Sequence, residues 1–471
     1  MPVKVSPRKY ESPRWSYEFF DCAMPMTFDT YSVCAFRCVY CFSFFQKAVK
    51  LGKDDYLNSV VQVVDVNRVK RMWLGEIKTE FTNAIKDRLV LQWGGLADSF
   101  DYYERELGVS LELLRFWREL EYPLSISTKG VWFVDDPRYR EAFKGAKHIQ
   151  VKASIIGWDA ELCRKIELGV ASPQERLRML KVLKDLGVGI TTLRLRPFIP
   201  GVSEKGLEEL IKAAADAGVY SVSSEFLFWD KRASNVSRQR LKYLSEVLGY
   251  DVWEFFRKYS YPVRGGLLRL NYDLKRPYYE RLKELCDKYG LKLAISDNHH
   301  KEMCFAGGCC GLPTEGPLSN FHKGQFTQAL IIAKERGYVF WSDIKDHALR
   351  YYGEAKLEHT AHATKAEDRA LYNTKETTLY EYLHTLWNSP HRPLSPAVYF
   401  MGVLLPAGLD ENGDIIYLYN RPFVEHNIRV FEVEKVKAMV GWDDEKVKRG
   451  EPLVPPTPLA GVPSGAQNSC G

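Results

Sequence analysis

Short apolar runs alternate with longer amphipathic segments through the first half of this chain. Runs of aliphatic residues predict strands, and apolar residues spaced three and four apart predict helices. The predicted strands are 88–93, 124–128, 148–154, 189–197 and 219–226, and the predicted helices are 111–121, 173–186 and 207–217. Strands and helices that alternate in this way are typical of parallel βαβ units.

This alternation predicts an α/β fold. With one strand before residue 34, about six βα units fit between residues 24 and 260, which indicates a partial (β/α)6 TIM-like barrel. A further βαβ pattern follows, and then a helix at 326–336 and a hairpin over 404–419 indicate an additional C-terminal α+β domain. The expected division is 1–20 N-terminal arm, 21–260 barrel, 261–315 extra βαβ unit with a second cysteine cluster, 316–451 C-terminal domain and 452–471 disordered tail.

Three cysteines, Cys34, Cys38 and Cys41, lie within one short predicted loop. Three close thiolates can hold three corners of an iron–sulfur cube, which normally has four cysteine ligands. A missing protein ligand indicates a site that binds something else, as in an open catalytic zinc site. A zinc-binding turn or three unrelated thiols are the alternatives, but a zinc loop usually pairs with a second cysteine pair, and none is obvious here.

Composition narrows the class of protein. The chain has 471 residues, 45% of them hydrophobic and 27% charged, as in an ordinary soluble protein of two or three domains. It has neither a long apolar run nor an N-terminal signal, so we expect no membrane partner and a cytoplasmic location. Ten cysteines in such a compartment favour metal binding over disulfides. A net charge of +6 permits a nucleic-acid partner without requiring one.

The Cys-x3-Cys-x2-Cys spacing, with Tyr40 just before the last cysteine, resembles the radical S-adenosylmethionine (SAM) enzymes. The stretch from about 20 to 315 further resembles the spore photoproduct lyase-like branch, which is the DNA repair photolyase type. The patterns that carry this are Ile-Ser-Thr-Lys-Gly at 126–130, Val-Lys-Ala-Ser-Ile at 151–155, a helix-loop-helix pattern over 159–177 and Arg-Pro-Phe-Ile-Pro-Gly at 196–201.

The resemblance implies that the three cysteines ligate a [4Fe–4S] cluster whose fourth iron is chelated by SAM. It implies further SAM contacts at Tyr40, Gly94, Gly95, Asp98, Lys129, Ser154 and Arg196. Tyr40 would lie near the adenine, and the two glycines would let the backbone approach the methionine part. The family often has an acid after the glycine pair, where this chain has Leu96, so either Asp98 substitutes for it or the contact is lost. Lys129 and Ser154 would contact the carboxylate or ribose, and Arg196 would pair with the carboxylate or form a structural ion pair.

The resemblance also implies the reaction class. A reduced cluster, supplied by a donor such as flavodoxin or ferredoxin, would cleave SAM to a 5′-deoxyadenosyl radical that abstracts hydrogen. The lyase keeps a cysteine hydrogen donor on its barrel wall, but this sequence has no cysteine between Cys41 and Cys163, so its substrate stays open. A nucleic acid is the first expectation and a peptide or protein the second. A zinc-binding adaptor without catalysis is the rival from another class. We leave the catalytic residues unassigned.

A second cysteine group, Cys304, Cys309 and Cys310, lies among glycines. Three interpretations remain open for it: an auxiliary iron–sulfur cluster, a zinc site that includes His299 or His300, and plain reduced thiols beside a turn. Cys22 and Cys163 are interpreted as buried thiols.

Overall fold

A computed structural model describes residues 3–43, 60–230, 235–262, 267–305, 308–360, 362 and 366–456. Its centre is an eight-stranded sheet whose strands follow chain order from one edge to the other. The strands are β1 (Arg14–Trp15), β2 (Met26–Phe28), β3 (Leu91–Trp93), β4 (Leu124–Thr128), β5 (Ile149–Ser154), β6 (Ile190–Phe198), β7 (Ser221–Phe226) and β8 (Lys292–Ile295). β1 is antiparallel to β2, and every later pairing is parallel. This confirms the α/β class and the partial barrel, since six parallel strands, β2 to β7, lie in the predicted region.

Helices connect these strands and cover the outside of the sheet. Up to β8, the α-helices of the described residues are Val66–Trp73, Thr82–Lys86, Tyr102–Leu107, Val109–Glu119, Pro137–Phe143, Ala160–Ile166, Pro173–Asp185, Leu207–Asp216, Asn235–Leu248, Val252–Tyr259 and Tyr272–Lys288. After it come Phe326–Arg336, Ser342–Tyr352, Ala366–Leu371, Leu379–Trp387, Pro396–Tyr399, Arg421–His426, Val433–Val440 and Asp444–Lys448, and the 3-10 helices are Trp132–Asp135, Asn298–Met303 and Leu357–His359. All helices within the described ranges are too short or too polar to cross a lipid bilayer.

The expected βαβ unit at 261–315 does not form. Leu267–Leu270 instead joins Phe228–Asp230 and Ser260–Pro262 in a separate antiparallel sheet, while Lys292–Ile295 extends the main sheet as β8 beside β7. A four-residue apolar run specifies a strand but not its partner, so the sequence pattern could not distinguish these pairings. Another short pair, Arg37–Cys38 with Glu167–Leu168, is also antiparallel.

Residues 3–20 do not form a separate arm. β1 pairs with β2, and the side chains of Trp15, Phe19 and Phe20 are buried. The Phe20 ring lies 5.1 Å from that of Tyr399, so the first residues pack between the barrel and the C-terminal region. Burial of three large aromatic side chains gives this segment the apolar contact that a free arm would lack.

The C-terminal region contains both predicted elements. Phe326–Arg336 is a helix, and Leu404–Leu409 pairs antiparallel with Ile415–Tyr419, next to Tyr338–Val339. Many of its apolar side chains share one core with the barrel, and others, among them Tyr338, Leu405 and Val436, form a separate cluster. In the predicted tail, Leu453 is buried and its backbone N–H bonds to Arg336, while 457–471 lie outside the described residues.

Candidate functional site

The loop with the first three cysteines follows β2, at the carboxyl end of the parallel strands. Two anchors hold it. Cys38 pairs with Glu167 in the short antiparallel ladder, and the backbone N–H of Ala35 donates to the buried carboxylate of Asp101 at 2.6 Å. Asp101 also caps the helix Tyr102–Leu107, so the loop is tied to the segment that follows β3.

The three thiols differ in exposure. Cys38 is buried, whereas Cys34 and Cys41 are partly exposed. Burial raises the pKa of Cys38 to about 12 and that of Cys34 well above its usual value, and the ammonium of Lys129 opposes the shift at Cys38. The Cys34 and Cys38 thiols are therefore protonated until a metal displaces the proton.

The donor set suits an iron–sulfur cube. Among the described residues, no three His, Cys, Asp or Glu side chains converge as ligands of a single metal ion. The thiolates of a cube each bind a different iron and stand apart around it. Soft sulfur donors on one loop, with two of them reaching the surface, fit such a cluster better than a tetrahedral zinc site.

A buried polar chain connects this loop to the end of β5. The Tyr40 hydroxyl donates to the Glu167 carboxylate, and Glu167 forms an ion pair with Arg176 at 2.7 Å. Arg176 in turn donates to the backbone carbonyl of Ser154. This series of contacts fixes the Tyr40 ring relative to β5. Neither Glu167 nor Arg176 was among the residues selected from the sequence.

Asp98 and Lys129 meet beside the cysteine loop. The Asp98 carboxylate accepts hydrogen bonds from the backbone N–H of Lys129 at 2.6 Å and from the Thr128 hydroxyl at 2.8 Å. Burial raises the pKa of Asp98. The Lys129 ammonium lies 5.8 Å from the centre of the Tyr40 ring. Three predicted SAM contacts, Tyr40, Asp98 and Lys129, are thus close neighbours, and Lys129 also lies near Cys38.

Gly94 is required by packing. Its φ is +88°, and an added Cβ would meet the carbonyl oxygen of Ser127 at 2.5 Å. At Gly95 an added Cβ would approach the Arg14 guanidinium at 3.2 Å. Arg14 also pairs with the buried Asp29. Asp29, which the sequence analysis missed, accepts the backbone N–H groups of 96 and 97 at 2.8 and 3.0 Å and so holds the loop after β3.

The inner face of the barrel is polar on the strands β4 to β7. Side chains on one face of a strand alternate with those on the other. The inward-facing polar residues are Ser125 and Ser127 on β4, Gln150, Lys152 and Ser154 on β5, Thr192, Arg194 and Arg196 on β6, and Ser221, Ser223 and Glu225 on β7. The interior of an (β/α) barrel is normally filled by branched apolar residues, so the polar side chains of this lumen require polar partners. The backbone carbonyls of residues 309–311 supply some of them.

Two of the predicted residues lie at the upper end of this lumen. The Ser154 hydroxyl accepts a hydrogen bond from Arg194 at 3.1 Å. Arg196 forms an ion pair with Glu225, which is the structural pairing that the sequence analysis left open, and among the described residues its Nε has no hydrogen-bond partner. Burial lowers the pKa of Arg196, but the Glu225 carboxylate together with the nearby Cys310 and Cys309 thiols raises it by more, so the pKa lies above its usual value.

The second cysteine group enters the lower end of the lumen. Gln150 and Ser223 donate to the backbone carbonyls of Cys310 and Cys309, both at 2.9 Å. The two thiols are 3.9 Å apart. Cys304 lies at the edge, where its sulfur bonds to the backbone of Ile295.

Cys22 and His322 join this group, although sequence reasoning did not include them. The Cys22 thiol lies near Cys309 and Cys310. His322 is buried against Gly308, and neither of its ring nitrogens has a hydrogen-bond partner among the described residues. No local pattern in the sequence could have indicated either. Of the proposed zinc ligands, His299 packs at a tilt against Tyr261 and His300 stacks on Tyr272, so both are buried in aromatic contacts.

Residues 29–214 match the model of the Radical SAM superfamily. The matched segment is less than half of the chain and contains the cysteine loop. The protein is a radical SAM enzyme, and members of this superfamily use a [4Fe–4S] cluster and SAM. This decides against the zinc-binding adaptor, and the match includes Cys34, Cys38 and Cys41.

The solved structures that are similar to this radical SAM enzyme share little sequence identity with it. A spore photoproduct lyase with bound AdoMet and dinucleoside spore photoproduct shares 16% identity over 62% of this chain and 80% of its own, with a TM-score of 0.46. SuiB from Streptococcus suis, bound to the precursor peptide SuiA, shares 14% identity over 58% and 49%, with a TM-score of 0.37. No curated protein matches the chain. Likenesses this distant carry no argument about substrate.

Proposed function

We propose that this radical SAM enzyme abstracts hydrogen from a nucleic acid held at the mouth of the barrel. When bound, the cluster and SAM together supply a 5′-deoxyadenosyl radical. The observation that carries the proposal is the combination of the cysteine loop at the strand ends with a polar lumen directly below those ends. The nucleic acid is favoured by the local patterns of the lyase-like branch and by the net charge of +6.

The chain's own residues hold and orient the two groups. Cys34, Cys38 and Cys41 would ligate the cluster, and Lys129 would offset negative charge at Cys38. The remaining proposed SAM contacts are Tyr40, Gly94, Gly95, Asp98, Ser154 and Arg196. Tyr40, fixed through Glu167, would present its ring to the adenine, and the exposed edge of the loop would receive the electron donor, such as flavodoxin or ferredoxin.

A second proposal concerns a peptide or protein substrate and an auxiliary iron–sulfur cluster. It is favoured by the gathering of Cys309 and Cys310 with Cys22 and Cys304 at the lower end of the lumen. Anaerobic protein with about eight irons would support this cluster, whereas about four would limit the protein to the first cluster.

Binding to single-stranded DNA tests the nucleic-acid proposal. We expect fluorescence anisotropy to show binding that weakens steeply as salt is raised, because phosphate contacts release counterions. Addition of the bound DNA to reduced enzyme with SAM would then increase 5′-deoxyadenosine formation. If no binding occurs at low salt, the nucleic-acid proposal fails and the peptide proposal takes its place.

A further inference from the structure

The lumen carries more positive than negative charge. Lys152, Arg194 and Arg196 lie on the inner faces of β5 and β6, whereas Glu225 supplies the carboxylate on β7. Glu225 is already shared by Arg196 and by Arg269, the latter at 3.6 Å. Within the described ranges, no carboxylate forms an ion pair with Lys152 or Arg194, so these two cations lack a full counter-charge.

Such charges are costly in a protein interior. Lys152 is only 2% exposed, and an unpaired buried charge costs several kcal/mol in effective terms. Burial lowers the pKa of Lys152 to about 8, and burial together with Arg196 lowers that of Arg194 to about 10. The Cys310 thiol lies near Lys152 and can offset part of its charge, whereas Arg194 donates to the neutral hydroxyl of Ser154 and has Glu225, already paired with Arg196, in its vicinity.

One neutral donor completes the arrangement. Ser127 lies on the inner face of β4, beside β5, and its buried hydroxyl has no hydrogen-bond partner in the part of the chain that the structure describes. A buried hydroxyl without a partner costs free energy unless a ligand satisfies it. The lumen thus combines two cations and a free hydroxyl, all of which an oxyanion would satisfy.

We propose that the lumen binds an oxyanion of the substrate, a phosphate or a carboxylate, between Lys152, Arg194 and Ser127. The planar guanidinium of Arg194 would provide paired donors and the Lys152 ammonium a point charge. This rests on the proposed function, because the substrate must reach the lumen under the cysteine loop.

The depth of these residues separates this oxyanion from the carboxylate of SAM. The proposed SAM contacts Ser154 and Arg196 lie toward the carboxyl ends of β5 and β6. Lys152 and its cross-strand neighbour Ser127 lie one inward-facing position before Ser154, which corresponds to about 7 Å deeper in the barrel. Arg194 lies opposite Ser154 and donates to its hydroxyl, so it adjoins the site from the upper level. An anion held by Lys152 and Ser127 would therefore lie below the SAM contacts and belong to the substrate.

Thermal unfolding of the anaerobic holoenzyme with saturating SAM tests the proposal. Inorganic phosphate, succinate and chloride would be compared at equal ionic strength. We expect phosphate or succinate to raise Tm by about 1–3 °C over chloride. Lys152→Met and Arg194→Met should each abolish this rise, and Lys152→Met alone should not lower Tm in chloride, because it removes an unpaired charge. Lys181→Met, on an exposed helix face, is the matched control and should keep the rise.

The two anions separate the sources of the group. A response to phosphate alone supports a nucleic-acid phosphate, and a response to succinate alone supports a carboxylate of a peptide. The proposal is overturned if neither anion raises Tm above chloride, if the rise survives in both variants, or if Lys152→Met weakens SAM binding in equilibrium dialysis more than twofold. About eight irons without an anion response would also overturn it, since a cluster would then supply the counter-charge. Absence of 5′-deoxyadenosine with a retained anion response would instead reject the proposed function alone.

Discussion

Arg176 Nη2 lies 2.7 Å from Glu167 Oε2, and both side chains are buried. This ion pair joins the helix Pro173–Asp185 to the short strand that pairs with Cys38. Through the hydroxyl of Tyr40 it reaches the cysteine loop itself. The position of the loop thus depends on a charge pair distant from it in sequence.

Removal of one partner of this pair should be strongly destabilising. We expect Arg176→Met to lower the free energy of unfolding by about 3–5 kcal/mol, because it leaves the Glu167 carboxylate buried and unpaired. The double variant with Glu167→Gln should recover at least about 1 kcal/mol of this loss, as urea unfolding would show. The exposed pair of Arg178 with Asp135 is the control, and Arg178→Met should cost less than about 1 kcal/mol. If Arg176→Met and Arg178→Met lost equal free energies of unfolding, the stabilising role of the buried Arg176–Glu167 pair would be contradicted.

Gly94→Ala tests the close contact between β3 and β4. Both Gly94 and Gly75 have a positive φ. A Cβ added at Gly94 would meet the carbonyl oxygen of Ser127 at 2.5 Å, whereas a Cβ added at Gly75 would meet no described atom within 4 Å. Gly94→Ala should therefore cost about 1–3 kcal/mol more than Gly75→Ala in chemical unfolding. Equal effects would mean that the strands separate without cost.

Stability should fall in mild acid because of buried imidazoles. Burial lowers the pKa of His148 to about 4, so the folded protein keeps it neutral while the unfolded chain takes up a proton below about pH 6.5. The contribution of neutral His148 to the free energy of unfolding is fully present above about pH 6.5 and is lost as the pH falls toward 4. Relative to wild type, His148→Gln should reduce this loss by about 1–2 kcal/mol at pH 4.5. A pH profile of unfolding that His148→Gln leaves unchanged would contradict the assignment.

Cys38→Ala should remove the first cluster. We expect the reconstituted variant to lose the visible iron–sulfur absorption of that cluster and its SAM cleavage, with a far-ultraviolet circular dichroism spectrum like that of wild type. Cys286→Ala, at a buried cysteine on the helix Tyr272–Lys288, should keep both. Persistent 5′-deoxyadenosine formation by Cys38→Ala would refute the ligand assignment.

The sequence predicted the barrel strands because buried parallel strands leave local apolar runs. The helix 326–336 and the hairpin over 404–419 were predicted for similar reasons, since periodicity and turn residues are local. The two-residue strand Arg14–Trp15 and the strand Leu267–Leu270 could not be placed, because their partners are decided by tertiary packing.

At the candidate site, the short-range cysteine motif could be found, whereas Asp29, Glu167 and Arg176 could not. Their partners lie far away in sequence, and no spacing signals a distant ion pair. The polar lumen did leave a signal that was not used. Gln150, Lys152 and Ser154 alternate with apolar residues in a strand that is buried on both faces, where continuous apolar sequence is the rule.

The central claim is best tested by 5′-deoxyadenosine formation on anaerobic protein with measured iron and sulfide. With dithionite and SAM, we predict at least about four irons and sulfides per chain and 5′-deoxyadenosine that disappears in Cys38→Ala. Protein that carries zinc in place of iron and forms no 5′-deoxyadenosine would contradict the account.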